Sequence, residues 1–375
     1  MLQRLRVPAS PAPSTPPSNV ARQSELQERQ SPLARLTAPT SADLFEWLFA
    51  GALAHPSGGI AGWRERGSGR LSDEYPEISG YFLSAAVFAD ATGSAAVARA
   101  AEWLIARFEA SEFASRRADG PTIYNFDVGI IGAGLIKYGL RAGHDRAVTA
   151  GIRAASCLRD QVDRHGHLPT LDPTAGPPRG RAATWSTVGR LHLAKTVQCL
   201  LLADELGAAG MREAARIIID DVRSRISLAS DSLREADGQI NLHAACYALE
   251  GLWIWDAAHG ADNLDEILHT TFSELVSYRL PSGGFPRNPS RLAAREQSDV
   301  HSQVIRLAVL LGSDSAIQPS IARLRQVALP TECGWSLPYQ PQAPELHENA
   351  WATMFAAQAL ALVDGSRDLE WWELI

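Results

Sequence analysis

The stretch FDVGIIGAGLIKYGLRAG (residues 126–143) has apolar side chains on nearly every side when it is read with the 3.6-residue period of an α-helix. A helix that is apolar all round is covered all round, so this stretch predicts a helix in the interior of a helical core. Three of its five glycines, Gly129, Gly132 and Gly134, would allow a neighbouring helix to approach the backbone closely.

Stretches of this kind recur along the chain and alternate with a second, amphipathic kind. The apolar stretches are residues 77–93, 126–143, 186–207, 241–260, 298–312 and 348–365. The amphipathic stretches carry their charges on one side, which predicts a face toward solvent; they are residues 41–55, 94–111, 145–161, 211–227, 261–280 and 314–329. Six outer helices therefore alternate with six inner ones, with a period of about 50–60 residues. Alternating Val, Ile and Thr runs, which would indicate strands, are almost absent.

The loops before the inner helices share a glycine turn that is followed by an apolar or aromatic residue, as in SGGIAGW (57–63), SGGFPRN (282–288) and ECGWSLPY (332–339). Six outer–inner hairpins with such loops resemble the (α/α)6 toroid of the six-hairpin glycosidase superfamily. That group includes N-acylglucosamine 2-epimerase-like and cellobiose epimerase-like proteins, unsaturated glucuronyl hydrolases and several polysaccharide lyases. The resemblance covers residues 41–365 and implies an all-α barrel and a carbohydrate-active enzyme.

The composition indicates where the folded domain begins, which partners are excluded and in which compartment we expect the protein. Residues 1–40 contain seven prolines and no long apolar run, which predicts a disordered tail, and residues 41–375 are predicted to form one toroid domain. A net charge of −7 argues against nucleic acid or an anionic membrane as a partner. The four cysteines lie far apart, and neither a secretory signal nor a membrane span is evident, so we expect a cytoplasmic protein. The sequence leaves its oligomeric state open.

In such a barrel the amino ends of the inner helices would meet at one end and form a cleft. The carboxylates and imidazoles expected there can exchange protons near neutral pH, and the catalytic candidates are Glu77, Asp127, His243, His301, His347 and Glu348. Arginines can bind a carboxylate and aromatic rings can cover a sugar face, so the substrate-binding candidates are Asp73, Glu74, Tyr75, Tyr124, Arg181, Trp185, Arg287, Arg295, Asn349 and Trp351. Helix capping is the alternative role for the acids and amides at helix starts.

The most distinctive of these helix starts is LSDEYPEISGY (71–81). Pro76 suits the first turn of a helix, but neither Tyr nor Glu is a favoured residue before it, so capping alone explains the segment poorly. Its three carboxylates repel one another, which favours a raised pKa on one of them. Glu77 is therefore the first catalytic candidate.

The resulting hypothesis is a metal-independent enzyme without a cofactor, acting on a saccharide that contains a uronic acid or an amino sugar. Hydrolysis would pair Glu77 with Asp127 or Glu348. Lyase, epimerase or isomerase chemistry would instead use a histidine or Tyr75 as the base. Two alternatives stay open: a toroid enzyme of the terpenoid-cyclase or prenyltransferase type, although no DxDD or DDxxD segment occurs, and a non-catalytic helical-repeat binding protein.

Overall fold

The computed structural model describes residues 38–110, 122–173, 184–226, 233–235, 238–260, 264–289, 295–313, 317–365 and 369–375. Nearly all of the predicted tail and the whole of Arg181 lie outside these residues. The described α-helices are α1 (Ser41–Phe49), α2 (Pro76–Phe88), α3 (Ala95–Glu109), α4 (Asn125–Ala142), α5 (Asp145–His165), α6 (Trp185–Val188), α7 (Val197–Glu205), α8 (Met211–Arg225), α9 (Leu242–His259), α10 (Asp265–Ser277), α11 (Ser298–Leu310), α12 (Gln318–Val327) and α13 (Ala350–Val363). Two 3₁₀ helices cover Leu191–Thr196 and Trp371–Glu373. No helix of this described part is long and apolar enough to cross a membrane.

The inner helices form a closed ring, and the predicted (α/α)6 barrel is confirmed. Around the ring, α2 packs on α4, α4 on the first 3₁₀ helix and α7, these on α9, α9 on α11, α11 on α13, and α13 on α2 again. The outer helices α3, α5, α8, α10 and α12 cover this ring, and α1 packs against α13. Side chains of α2, α4 and α9 are buried along nearly their whole length, as the all-round apolar pattern predicts.

Glycines bring α2 and α4 into direct backbone contact. A Cβ atom on Gly134 would lie 2.2 Å from the carbonyl oxygen of Gly80, and one on Gly80 would lie 2.7 Å from the Cα of Ile131. Real Cβ atoms do not approach other atoms so closely, so the spacing of these two helices requires glycine at both positions.

Gly134→Ala is therefore expected to lower the free energy of unfolding by about 1–3 kcal/mol, because the added methyl group forces α4 away from α2. Urea denaturation followed by circular dichroism measures this change. Gly93→Ala is the matched control, since a Cβ there has no atom within 4 Å. Equal effects of the two substitutions would contradict the close approach.

The third inner element differs from the predicted continuous helix over 186–207. The chain leaves α6 at Gly189, whose φ of −73° and ψ of 159° are extended, and resumes as the 3₁₀ helix. The buried Glu235 explains the break: its carboxylate accepts a hydrogen bond from the Arg190 backbone N–H at 3.1 Å and leaves no room for a side chain at position 189. A distant acid therefore sets where this inner helix restarts.

A small antiparallel sheet, which the sequence does not predict, lies at the start of the last inner helix. Its strands are β1 (Trp63–Glu65), β2 (Leu329–Pro330), β3 (Trp335–Pro338) and β4 (His347–Asn349), in the order β1-β4-β3-β2. Strands of two to four residues are too short to show an alternating pattern. As a result, the helix predicted over 348–365 begins at Ala350 instead.

Residues 371–375 close the other end of the barrel. Their backbone carbonyls accept hydrogen bonds from five buried side chains of the inner elements: Lys137 at 3.2 Å, Lys195 at 3.1 Å, Gln198 at 2.9 Å, Arg306 at 2.9 Å and Gln358 at 2.9 Å. Arg306 and Gln358 each lie eight residues after the first residue of their helix, or about 12 Å along its axis. This segment therefore seals the barrel well below the amino ends of the inner helices.

Candidate active site

The side chains that face the barrel axis lie in three tiers. On α2, α9 and α11 they follow the i, i+4, i+7 spacing of one helical face. The upper tier contains Glu77, Phe126, His192, His243 and Asp299; the middle tier Tyr81, Tyr247, Gln303 and Phe355; and the floor Ser84, Lys137, Lys195, Gln198, Glu250, Arg306 and Gln358. Ring contacts join these helices inside the bore: Phe126 lies 4.8 Å from Tyr247, and Tyr81 lies 5.2 Å from Phe355.

His243 is the most completely positioned imidazole of the upper tier. Its Nδ1 lies 2.7 Å from Oε1 of Gln303 and 3.5 Å from Oδ2 of Asp299. Because both of these atoms are acceptors, Nδ1 carries the proton and Nε2 holds a free lone pair. Burial, assisted by the nearby Arg287 guanidinium, holds the pKa of His243 well below its ordinary value. The ring is therefore neutral near pH 7 and able to accept a proton.

Asp299 lies next to Nδ1 of His243, and only 1% of its surface is exposed. Burial raises its pKa to about 6, against the opposing influence of Arg287. Its Oδ1 accepts a hydrogen bond from the Val300 backbone N–H at 2.9 Å, within the first turn of α11. Near neutral pH its charge is available to stabilise an imidazolium on His243.

Asp299→Asn is expected to stabilise the fold by up to about 3 kcal/mol at pH 8 and by only about 1 kcal/mol at pH 4.5. The folded pKa of about 6 exceeds the unfolded value of about 3.9, so the wild-type protein loses stability as pH rises between these values. Asparagine removes that loss because it never ionises. Urea denaturation at both pH values measures the difference.

Asp163→Asn, at an exposed carboxylate, is the control and should change stability by less than about 0.5 kcal/mol at either pH. Destabilisation by Asp299→Asn at pH 8 would contradict the raised pKa.

Glu77 and Asp127 occupy the first turns of α2 and α4 and are 3% and 1% exposed. Burial is the largest cause that raises the pKa of Tyr81 and the pKa of Tyr247, and the Glu77 carboxylate raises both further. Glu77 therefore lies above the phenols of the middle tier. Asp127 precedes Gly134 by two helical turns, which places it on the side of α4 that contacts α2.

Aromatic and guanidinium groups form the rim above His243. The Trp185 ring meets the His243 ring edge-on at 5.6 Å, and the Arg287 guanidinium lies 5.1 Å from the centre of the Trp185 ring. Arg287 also donates a hydrogen bond to the Tyr339 hydroxyl at 3.0 Å. On another part of the rim, Trp351 packs edge-on against Tyr75 at 5.1 Å. Flat rings beside polar groups are suited to a sugar ring.

The structure does not bring His301 and Glu348 to the upper tier. His301 follows Asp299 by two residues, a rotation of about 200°, so it faces away from the axis. It lies against Gly284 and Phe285, and the charge of Glu296 acts on it. Glu348 lies 3.5 Å from Arg64 as its cross-strand partner.

The other predicted residues have varied surroundings. Glu74 is hydrogen-bonded to Ser57, which lowers its pKa, and Asn349 caps α13 through the Ala352 N–H at 2.9 Å. Asp73 and Arg295 are exposed, whereas Tyr124 is buried directly before α4. The His347 ring lies 5.9 Å from the Trp63 ring at the small sheet.

His192 is an upper-tier residue that the sequence analysis missed. It is 1% exposed, lies 5.0 Å from Trp185 and 5.3 Å from Phe126, and its charge acts on His243. The predicted helix 186–207 placed it mid-helix, whereas the restart after Gly189 puts it at a helix start. Gly189 was the residue in the sequence that could have indicated this break in the helix. Among the described residues, no group of three or more His, Cys, Asp or Glu side chains could hold a metal ion.

A closed ring of outer–inner helical hairpins defines an (α/α)6 toroid fold over the described residues. Solved structures share this fold. A D-mannose isomerase has a TM-score of 0.69 at 10% identity, covering 88% of this chain and 96% of its own. An unsaturated glucuronyl hydrolase from Bacillus sp. GL1 has a TM-score of 0.65 at 14% identity, covering 88% and 98%. A cellobiose 2-epimerase from Spirochaeta thermophila has a TM-score of 0.61 at 14% identity, covering 93% and 100%. The sequence matches no protein-family model and no curated protein.

Proposed function

We propose that this protein is an enzyme that acts on a saccharide by proton transfer, with His243 as the general base. The observation that carries the proposal is the position of Nδ1 of His243, 2.7 Å from Oε1 of Gln303, which favours a proton on Nδ1 and a lone pair on Nε2. Such a group can remove a proton from a carbon next to a sugar carbonyl. The names of two structural neighbours, a D-mannose isomerase and a cellobiose 2-epimerase, support this class of chemistry.

The reaction would begin with an open-chain sugar whose C2–H points at Nε2. Nε2 takes the C2 proton, the electron pair moves into the C1–C2 bond, and the carbonyl oxygen takes a proton from an acid of the upper tier. Glu77 is our candidate for that acid. The imidazolium on His243 is then stabilised by Asp299 and Gln303. Return of the proton from His243 to C1, with the O2–H proton passing back to Glu77, completes an isomerisation. Protonation of the opposite face of C2, with the O1–H proton passing back to Glu77, completes an epimerisation, and the imidazolium then loses its proton to solvent.

Hydrolysis of a glycosidic bond is the second candidate, and one observation favours it. Three carboxylates, Glu77, Asp127 and Asp299, are buried at the amino ends of inner helices. A glycosidase needs two such groups on either side of the scissile bond. Burial raises the pKa of Asp299 to about 6, which would suit a general acid.

Proton NMR in D2O separates the two reactions. The protein would be incubated with mannose, glucose, N-acetylglucosamine, glucuronic acid, cellobiose and an unsaturated glucuronyl disaccharide. Proton transfer predicts that deuterium replaces the C2 proton of one sugar and that a second isomer accumulates. New reducing ends without deuterium at C2 would instead establish hydrolysis, and no change in any sugar would contradict both.

A further inference from the structure

Two adjoining cavities lie over the small sheet, outside the upper tier. The first has a volume of about 330 Å3 and is lined by Trp63, Tyr339, Gln340, Glu345, His347 and Asn349. The second has a volume of about 590 Å3 and extends along residues 65–68. Glu345 and His347 line both cavities, and we call the two together the sheet trough.

Strand register explains why these side chains share one face. Trp63 pairs with Asn349, Glu65 pairs with His347, and Asn349 pairs with Leu337 on β3. Paired residues point to the same side of a sheet, and so do residues two apart along a strand. Trp63, Glu65, His347 and Asn349 therefore face the trough, whereas Glu348 and its partner Arg64 face the other way.

A chain of contacts joins the trough to the proposed base. Tyr339 lines the first cavity and accepts the hydrogen bond from Arg287. Arg287 lies over Trp185, and Trp185 touches His243. The trough therefore adjoins the part of the rim that carries Trp185, with Arg287 and Tyr339 between them.

The trough has the chemistry of a sugar site. Trp63 is only half-buried, so its ring offers an apolar face to a ligand, and the His347 ring stands beside it at 5.9 Å. Gln340, Glu345 and His347 supply donors and acceptors for hydroxyl groups. The first cavity, at about 330 Å3, is within the range of small-molecule sites, about 300–1,000 Å3.

We propose that the sheet trough binds the sugar unit next to the reacting one, with that unit stacked on Trp63. The substrate is then an oligosaccharide of at least two units, in which the reacting unit lies beneath Trp185. The inference rests on the proposed function for the place of the reacting unit. The trough itself is a binding site that can be measured without turnover.

Calorimetric titration with sugars of increasing length tests the proposal. The probes are glucose, cellobiose and cellotriose, with maltotriose and chitotriose as alternatives to the β-1,4-glucose series. Wild-type protein is expected to bind at least one oligosaccharide about tenfold more tightly than its monosaccharide. Trp63→Ala should remove that gain and leave monosaccharide binding unchanged.

Trp103→Ala, on the outer helix α3, is the matched control and should keep the gain. Equal affinity of wild-type protein for mono- and trisaccharides, equal loss of both in Trp63→Ala, or no binding of any probe would overturn the proposal. His243→Gln separates this site from the proposed reaction. The length dependence should survive in that variant although turnover is lost, and the trough inference can hold even if wild-type protein turns over none of the sugars.

Discussion

Arg306→Met is expected to lower the free energy of unfolding by about 3–5 kcal/mol, the usual cost of removing one partner of a buried ion pair. Arg306 is fully buried, and its Nη2 donates to Oε1 of Glu250 at 2.5 Å. Its Nη1 donates to Gln358 at 3.1 Å and to the carbonyl oxygen of Ile375 at 2.9 Å. Among the described residues, the ion pair with Lys195, at 3.1 Å, would then be left to offset the lost hydration of Glu250.

Urea denaturation followed by circular dichroism measures this loss, and Arg325→Met is the matched control. Arg325 is about one-third exposed and lies 3.5 Å from Asp364, so its loss should cost less than about 1 kcal/mol. Deletion of residues 371–375 should also destabilise the fold. Combined with Arg306→Met it should be less than additive, because both changes remove the same hydrogen bond. Full additivity would show that the stability contributed by residues 371–375 does not depend on Arg306. Equal effects of the two arginine substitutions would contradict the large contribution of the buried ion pair.

His243→Gln is expected to lower kcat by about 10²–10⁴-fold, the contribution typical of a positioned general base. Glutamine keeps a polar side chain in the upper tier but has no basic nitrogen, so the proton at C2 has no acceptor. Steady-state kinetics on the sugar identified by NMR measures the loss, and thermal unfolding checks that the variant is folded.

His301→Gln is the control of the same chemical type, because His301 faces away from the axis against Phe285. Its kcat should stay within about threefold of wild type. A loss in His301→Gln as large as that in His243→Gln would remove the distinction on which the proposed base rests.

The activity of the wild-type protein should also depend on pH in a defined direction. kcat/KM should rise as pH increases through about 6, because ionised Asp299 stabilises the imidazolium that forms on His243. Asp299→Asn should lower kcat/KM at pH 8 and remove this inflection. A profile that instead falls above pH 6 would indicate a protonated Asp299 as a general acid and would favour hydrolysis.

Much of the barrel could be predicted from local pattern. The stretch 126–143 was predicted as an inner helix, and α4 covers Asn125–Ala142. Glu77 and Asp127 were placed at helix starts, where the structure has them, because Pro76 and the onset of an apolar run mark those starts in the sequence. Their catalytic role stays a prediction.

The local sequence pattern did not predict the secondary structure where a residue distant in the chain determines the backbone conformation. Glu235 lies 45 residues from Arg190, yet its hydrogen bond sets the restart that brings His192 to the axis. The pairing of β1 with β4 joins residues that are more than 280 positions apart in the chain. Neither event leaves a periodic signal in its own segment.

The sequence by itself determined that this chain forms six helical hairpins around a buried ring. Helices that are apolar on every side must be covered on every side, and the amphipathic helices that alternate with them provide the outer cover. It also determined which ends of those helices carry polar groups. Only the tertiary structure decided which groups share the bore, because one residue of rotation on a helix changes direction by about 100°. On α11, that rotation places Asp299 and Gln303 next to His243 and directs His301 away from the axis. On β4, the strand register places His347 on the face of the sheet trough and Glu348 on the opposite face.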